Sequence, residues 1–247
     1  MRCTPVVLAA ALVAAALLAV GIAIGGWFVG RGFLEARAGD RFVTVKGVAE
    51  QSVKADLALW PMRFVTTSNR LAEAQEQNAA DMQKVLAFLA ANGMPREAVE
   101  VESLQVNDLL AQAYRSGPIE SRFIVAQTLM VRTAEVDKIA LASQKIGDLV
   151  AAGIVLSNEG QPSPGPVYLF TRLNDIKPAM IAEATKSARQ GAEQFAKDSG
   201  SRVTGIRRAS QGLFQILPRD DTPGMTQEKQ IAKTVRVVST IDYALAD

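Results

Sequence analysis

The sequence predicts an α+β domain of two strand–helix–strand–strand halves with three helices, preceded by one transmembrane helix. Three observations lead to this fold class. A long apolar run stands near the N-terminus. After it, segments with the two-residue period of strands alternate with segments that have the helical period. The order strand, helix, glycine, strand, strand occurs at 53–133 and again at 167–245.

The apolar run comprises the 24 residues Val6–Val29, none of them charged or polar. As a helix it spans roughly 36 Å, enough for a hydrocarbon core of about 30 Å. The apolar core of a cleavable signal peptide has only about 7–15 residues. Ala36-Arg37-Ala38 fits a cleavage site, but the length of the run favours a retained anchor. The predicted division of the chain is a cytoplasmic N-terminus, an anchor, a linker and one domain, at 1–5, 6–30, 31–41 and 42–247.

Two glycine pairs lie inside the anchor, Gly21 with Gly25 and Gly26 with Gly30. This spacing lets two membrane helices approach closely and favours their association. Glycine is also common in transmembrane helices, so both interpretations stay open. The four glycines are candidates for oligomer or membrane contacts.

The charges beside the anchor are a weak guide to its orientation. Arg2 precedes the run, and Arg31, Arg37 and Arg41 follow it. The positive-inside rule would place the C-terminal side in the cytoplasm, although long domains translocate largely regardless of such charges.

Composition excludes several function classes. Four of the 27 basic and two of the 25 acidic residues precede Phe42, so the domain is neutral and lacks the basic excess of a nucleic-acid surface. The chain has no histidine, and its one cysteine is Cys3. Ser-His-Asp and Cys-His catalysis and the usual zinc sites are therefore excluded. We expect no enzymatic activity, no cofactor and no metal site.

The first strands of the domain are predicted near 42–48 and 53–67. Up to Leu59 the apolar residues of the second strand fall on odd positions, and from Trp60 they fall on even positions. A bulge shifts the alternation by one residue, and proline is tolerated mainly at bulges or edges. The sequence therefore predicts a bulge at Trp60-Pro61. The bulge would change the direction of the Trp60 side chain. Trp60 and Pro61 are both candidates for oligomer or membrane contacts.

The other elements follow from capping, glycine and proline signals and from periodicity. Asn69 is the predicted N-cap of the first domain helix, and the segment 120–133 is apolar enough for a central strand. Helices are predicted near 69–92, 135–152 and 175–199, and further strands near 98–114, 120–133, 166–170, 202–216 and 229–245.

The two halves have little sequence identity. The glycines that end their helices, Gly93 and Gly200, are 107 positions apart. At that offset AFLAANGMPREAVEVESLQV faces EQFAKDSGSRVTGIRRASQG, so the repeat is architectural. Two such halves can share one sheet or stack.

The remaining candidate residues have simpler explanations than chemistry. Paired acids could serve as acid and base without histidine, but exposed charge or core packing explains each group more simply. The groups are Asp220-Asp221, Glu100 with Glu102, Arg207-Arg208, Tyr114, Tyr168, and the alanine stripe Ala184, Ala188, Ala192 and Ala196.

Four segments carry a resemblance to a known family. They are VTVKGVAEQSVKADLA (43–58), NRLAEAQEQNAADMQKVLAFLAANG (69–93), FIVAQTLMVRTAEVDKI (123–139) and AEATKSARQGAEQFAKDSGSRVTGI (182–206). The chain resembles the SIMPL-domain family over about 42–245. Its bacterial members include periplasmic immunogenic proteins and an oxidative-stress defence protein. The resemblance implies long, mostly antiparallel strands, large homo-oligomers and an envelope location, and it supplies no catalytic residues.

Together these observations lead to one expected function and two alternatives. The expected protein is a single-pass inner-membrane protein with a periplasmic domain, non-enzymatic and self-assembling, with a scaffolding role in the envelope or in stress. Its partners would be itself, the bilayer through 6–30, and an unidentified envelope protein, without nucleic acid. The alternatives are a small-ligand-binding module with its site between the two halves, and a histidine-free enzyme that uses paired acids.

Overall fold

The computed structural model describes residues 5–38, 41–111, 120–159 and 165–246. It confirms the predicted α+β class, with strands in two antiparallel sheets. The helices are α1 (Pro5–Ala38), α2 (Leu71–Ala91), α3 (Val136–Gln144), α4 (Gly147–Ala151) and α5 (Leu173–Asp198), with 3-10 turns at Arg96–Ala98 and Gln227–Lys229. The strands are β1 (Phe42–Lys54), β2 (Leu57–Ser68), β3 (Val99–Asp108), β4 (Phe123–Thr133), β5 (Val167–Leu169), β6 (Arg202–Gln211), β7 (Gln215–Pro218) and β8 (Ala232–Ala246).

The chain divides into two compact units. The terminal unit comprises the described residues within 1–49, 181–213 and 237–247, and the central unit those within 50–180 and 214–236. Helix α1 is long and apolar enough over Val13–Gly32 to cross a membrane, as the sequence predicts.

The central unit is built on the sheet β3-β4-β2-β5, in which each pair of neighbouring strands is antiparallel. Strand β4 lies inside the sheet, as its continuous apolar sequence predicts. One core lies in this unit, and its large buried members include Trp60, Phe64, Val85, Leu89, Leu129 and Ile139.

The predicted bulge at Trp60-Pro61 is wrong. Strand β2 pairs with β4 in unbroken register, with Trp60 opposite Val131 and Pro61 opposite Met130. The Val65 N–H donates to the Val155 carbonyl, so odd-numbered residues of β2 direct their backbone groups away from β4. Proline is tolerated at 61 because the ladder to β4 needs no N–H there.

The change of phase arises from a change of strand. Strand β1 runs unbroken through Gly47, and its inward residues Val45, Gly47 and Ala49 are odd-numbered. The inward residues of β2 are even-numbered, from Ala58 onward. The join at 55–56 resets the alternation, and Leu57 and Leu59 of β2 are only half-buried on its other face, so no extra residue is needed within β2.

Two helix predictions differ from the structure. Arg70, not Asn69, precedes α2, and no side chain caps it; the Asn69 Oδ1 atom instead accepts from the Arg122 N–H at 3.1 Å. The single helix predicted over 135–152 is two helices. Between them the N–H groups of Lys145 and Ile146 bond three residues back, which tightens the chain into a turn.

The terminal unit contains α5 from residue 181 and the sheet order β1-β8-β6. The alanine stripe of α5 is fully buried, which confirms its interpretation as packing. The Tyr243 hydroxyl of β8 donates to the Thr185 carbonyl at 3.4 Å. Val45, Ile241 and Tyr243 form the core of this unit with Ala188 and Ala192.

The structure contains the predicted internal repeat, but a different strand is the first strand of the second half. The first half has the order β2-β4-β3, with α2 between its first two strands in sequence. The second half has the same arrangement in β1-β8-β6 with α5, so its first strand is β1. The segment predicted for that place, β5, has three residues and pairs with β2.

Candidate assembly interface

Strand β3 is the outer strand of its sheet. Within the described part of the chain it pairs with β4 alone, so the backbone groups on its other side have no strand partner. An outer strand of ten residues is a ready template for a strand from another chain.

A bulge keeps the apolar side chains of β3 on one face. Its register against β4 shifts between Val101 and Ser103, which makes Glu102 the extra residue. Before the bulge Val101 lies opposite Leu129, and after it Leu104 lies opposite Gln127. Both β4 residues point inward, so Val101 and Leu104 lie on the core face despite their different parity.

These core-face side chains are nevertheless largely exposed. Val101, Leu104 and Val106 are 52%, 54% and 46% exposed, whereas Val99 at the start of the strand is buried. The open side of β3 thus combines three apolar side chains with a strand edge that pairs with no other described strand. We refer to it as the β3 edge.

An ion pair fixes the far end of β3. The Arg122 guanidinium donates to the two carboxylate oxygens of Asp108 at 3.0 and 2.8 Å, and the Leu109 N–H donates to the Arg122 carbonyl. The Arg122 hydrogen bond is the largest influence that lowers the pKa of Asp108 below its ordinary value. The end of the strand is therefore held on β4, which gives an incoming strand a preformed partner.

The anchor glycines are accessible on α1. A Cβ built at Gly21, Gly25, Gly26 or Gly30 would meet nothing within 4 Å. The large apolar residues of α1 from Val13 to Val29 are exposed as well. This surface is suited to lipid or to another helix.

Trp60 and Pro61 lie away from the β3 edge. Trp60 is 1% exposed and packs in the core of the central unit, so its side chain forms no external surface. Pro61 is half-buried beside a cavity of about 460 Å³, which Arg63 and Leu156 also line. The Arg63 guanidinium donates to Ser157 and Glu159 at 2.9 and 3.1 Å.

The acidic candidates are bound to neighbours or exposed. Asp220 forms an ion pair with Arg219 at 2.7 Å, and the arginine lowers the pKa of the Asp220 carboxyl. Asp221, Glu100 and Glu102 are exposed. No group of three or more potential metal-binding side chains occurs among the described residues.

A second cavity of the central unit, about 620 Å³ in volume, is lined by Lys54, Asp137, Tyr168 and Lys229. Lys54 and Asp137 form an ion pair at 2.5 Å. Lys229 donates to the Pro166 carbonyl at 3.2 Å, and burial lowers the pKa of its amine. Tyr168 packs in the core, as its simpler interpretation predicts; Tyr114 lies outside the described residues.

The sequence contains a signal for the bulge in β3. In VEVESLQV the apolar residues change from odd to even positions after Val101, the same pattern that predicted a bulge at Trp60. At β3 the pattern does correspond to a bulge. Exposure of the strand could not be predicted in this way, because the pattern does not say which strand is outermost.

Comparison with known proteins identifies the family of the chain. The family model SIMPL, described as a protein of unknown function (DUF541), matches residues 43–241. No curated protein matches the chain. The matched range begins in β1, includes both sheets and ends in β8. Because it covers most of the sequence, the chain belongs to the SIMPL family.

Proposed function

We propose that the protein is a membrane-anchored, non-enzymatic scaffold of the cell envelope that assembles with copies of itself. Helix α1 would hold each copy in the inner membrane, with the domain in the periplasm. The length and apolar composition of α1 support the anchor. The resemblance to periplasmic family members supports the location and the link to envelope stress.

The observation that carries the proposal is the β3 edge. Val101, Leu104 and Val106 expose apolar surface on an outer strand whose open side pairs with no other described strand. A strand added there would form backbone hydrogen bonds and cover that apolar surface at the same time. Among the residues that the structure describes, no second strand provides either gain.

The absence of histidine and of any domain cysteine supports a non-enzymatic role. The best pair of acids, Asp220 with Asp221, includes one carboxylate already bound to Arg219. A general acid or base must be able to reach its substrate.

Assembly is tested with the full-length protein in detergent. Native mass spectrometry and electron microscopy should show a multimer of uniform size. A shortened chain that begins at Arg41, whose carbonyl accepts from the Leu245 N–H at 3.0 Å, should also assemble at micromolar concentration. Monomeric mass for both chains would refute self-assembly.

Location is tested by protease added to spheroplasts. The domain should be digested from outside while a cytoplasmic marker protein stays intact. Protection of the domain until the membrane is opened would place it in the cytoplasm and refute this part of the proposal.

A second candidate function is the binding of a small ligand. The observation in its favour is the cavity of about 460 Å³ beside Pro61, within the size range of ligand sites and with Arg63 as a polar group. A ligand would raise the melting temperature by mass action. A thermal-shift screen of envelope metabolites tests this function, and a stabilising compound that loses its effect in Arg63→Ala would support it.

A further inference from the structure

Strand β6 is the outer strand of the other sheet. Among the residues that the structure describes, it pairs with β8 alone. It has ten residues, as β3 has. We refer to its open side as the β6 edge.

The β6 edge also separates apolar from charged side chains. Val203 and Ile206 lie opposite Leu245 and Tyr243, and Ile206 is 49% exposed. Tyr243 points into the core of the terminal unit, which places Ile206 on the core face.

The arginines of β6 lie mainly on its other face. Arg202 and Arg208 stand opposite Ala246 and Asp242, residues that alternate with the buried ones of β8. Arg207 lies between Ile206 and Arg208, where the pairing of β6 with β8 is irregular. Its guanidinium lies 5.0 Å from the centre of the Phe42 ring. Strand β6 has three arginines and no acid.

The β3 edge carries the opposite charge. Glu100 lies opposite Met130 on the face away from the core, and Glu102 is the bulged residue; both are exposed. The third acid of β3, Asp108, is engaged by Arg122. The strand has no basic residue.

We propose that the β3 edge of one copy pairs with the β6 edge of the next, which joins the copies head to tail. This inference rests on the proposed self-assembly and names its interface. Apolar side chains would meet on the core face, and glutamates would meet arginines. Such a heterologous contact leaves one free edge of each kind on every dimer, so that assembly continues until a ring closes.

The same charges disfavour pairing of like edges. Two β3 edges would bring glutamates together, and two β6 edges would bring arginines together, and like charges across a strand pair are destabilising. The other outer strand of the β6 sheet is β1, which carries Lys46, Glu50 and Lys54. Because these charges are of both signs, β1 favours neither an acidic nor a basic edge as clearly as β3 and β6 do.

The test uses two charge-reversed forms of the full-length protein in detergent. One carries Glu100→Arg with Glu102→Arg, and the other carries Arg202→Glu with Arg208→Glu. Each alone should assemble at least roughly tenfold more weakly than wild type, because like charges then face each other. Lys46→Glu on β1 is the matched control and should assemble as wild type does. Circular dichroism and the melting temperature establish that each variant is folded.

Mixing the two forms gives the sharper result. The basic β3 edge of the first form can then pair with the acidic β6 edge of the second form, and their unchanged edges can also pair. An equimolar mixture should therefore form assemblies of the wild-type mass in which the two forms alternate. Raised salt should weaken the wild-type assembly, because it screens exposed charges.

The outcomes distinguish this inference from the function on which it rests. A monomeric wild type would overturn both. A wild type that assembles, with reversed forms that assemble equally well or do not recover on mixing, would overturn the β3–β6 pairing and leave self-assembly intact.

Discussion

Gly47 of β1 lies directly against the carbonyl oxygen of Ala184 on α5. A Cβ built on Gly47 would be 1.8 Å from that oxygen and 2.6 Å from the Ala188 backbone nitrogen. Both neighbours are backbone atoms of a helix, which cannot move aside as a flexible side chain can. The contact joins β1 to α5 within the terminal unit.

Gly47→Ala is therefore expected to destabilise the protein by about 3 kcal/mol, at the upper end for overpacking. The control is Gly205→Ala in β6, where an added Cβ meets nothing within 4 Å. Urea unfolding followed by circular dichroism measures both. If the two variants were equally stable, the close contact of Gly47 with α5 would not be important for stability, and the expectation would be wrong.

Leu104→Lys should prevent assembly without unfolding the chain. Leu104 is 54% exposed, so the substitution should change stability little, while a lysine on an outer strand blocks strand pairing. Leu141→Lys on α3 is the matched control, because Leu141 is 60% exposed and away from the β3 edge. Native mass spectrometry measures the assembly of both variants. If Leu104→Lys still formed the multimer, the β3 edge would not be the assembly interface.

Asp56→Ala should destabilise the join between β1 and β2. The Asp56 carboxylate accepts from the Thr171 N–H at 2.8 Å, the Thr171 hydroxyl at 3.1 Å and the Arg172 N–H at 3.2 Å. Loss of these bonds should lower the free energy of unfolding by about 1–3 kcal/mol. The exposed Asp221, replaced by alanine, is the control in the same urea experiment; a similar small loss for both would contradict the expectation.

The ion pair of Asp108 with Arg122 predicts a pH dependence. The folded-state pKa of Asp108 lies below its ordinary value, chiefly through the Arg122 hydrogen bond. The stabilisation is thus present above the unfolded pKa of about 4 and is lost as the pH falls through the folded pKa. Asp108→Asn should melt below wild type at neutral pH, and the difference should vanish in acid. A difference that grew on acidification would reverse the sign and refute the assignment.

Retention of the anchor predicts the mass of the native protein. The uncharged run of 24 residues is too long for a typical signal-peptide core. Intact-mass measurement on protein extracted from membranes should show a chain that includes α1. A mass that begins after Ala38 would show cleavage. An extract from cells treated with a signal-peptidase inhibitor is the control, and it should be identical.

Local sequence determined most element positions. The periodicity of α2, the apolar run of β4 and the stop at Gly93 predicted elements that the structure has, to within a few residues at their ends. The acidic and alanine groups also have the environments that were predicted for them. Such features depend on neighbours along the chain, and so sequence reports them directly.

The error at Trp60 shows where local reasoning fails. A change of parity arises equally from a bulge and from a change of strand, because both reset the inside–outside alternation. The apparent flip before Trp60 combines the change of strand at 55–56 with two half-buried leucines, Leu57 and Leu59, on the other face of β2, whereas the flip after Val101 marks a bulge. Only the hydrogen-bond register distinguishes the two cases.

The apolar helix, the α+β class and the positions of most elements could be predicted from the residues alone. The strand order could not be predicted: β1 completes the second half, β5 joins the first sheet, and β3 and β6 are outermost. Alternation along a strand sets which of its faces is buried, whereas the neighbour of a strand depends on pairing with residues far away along the chain. The β3 and β6 edges, which carry the proposed assembly, belong to that second kind of information.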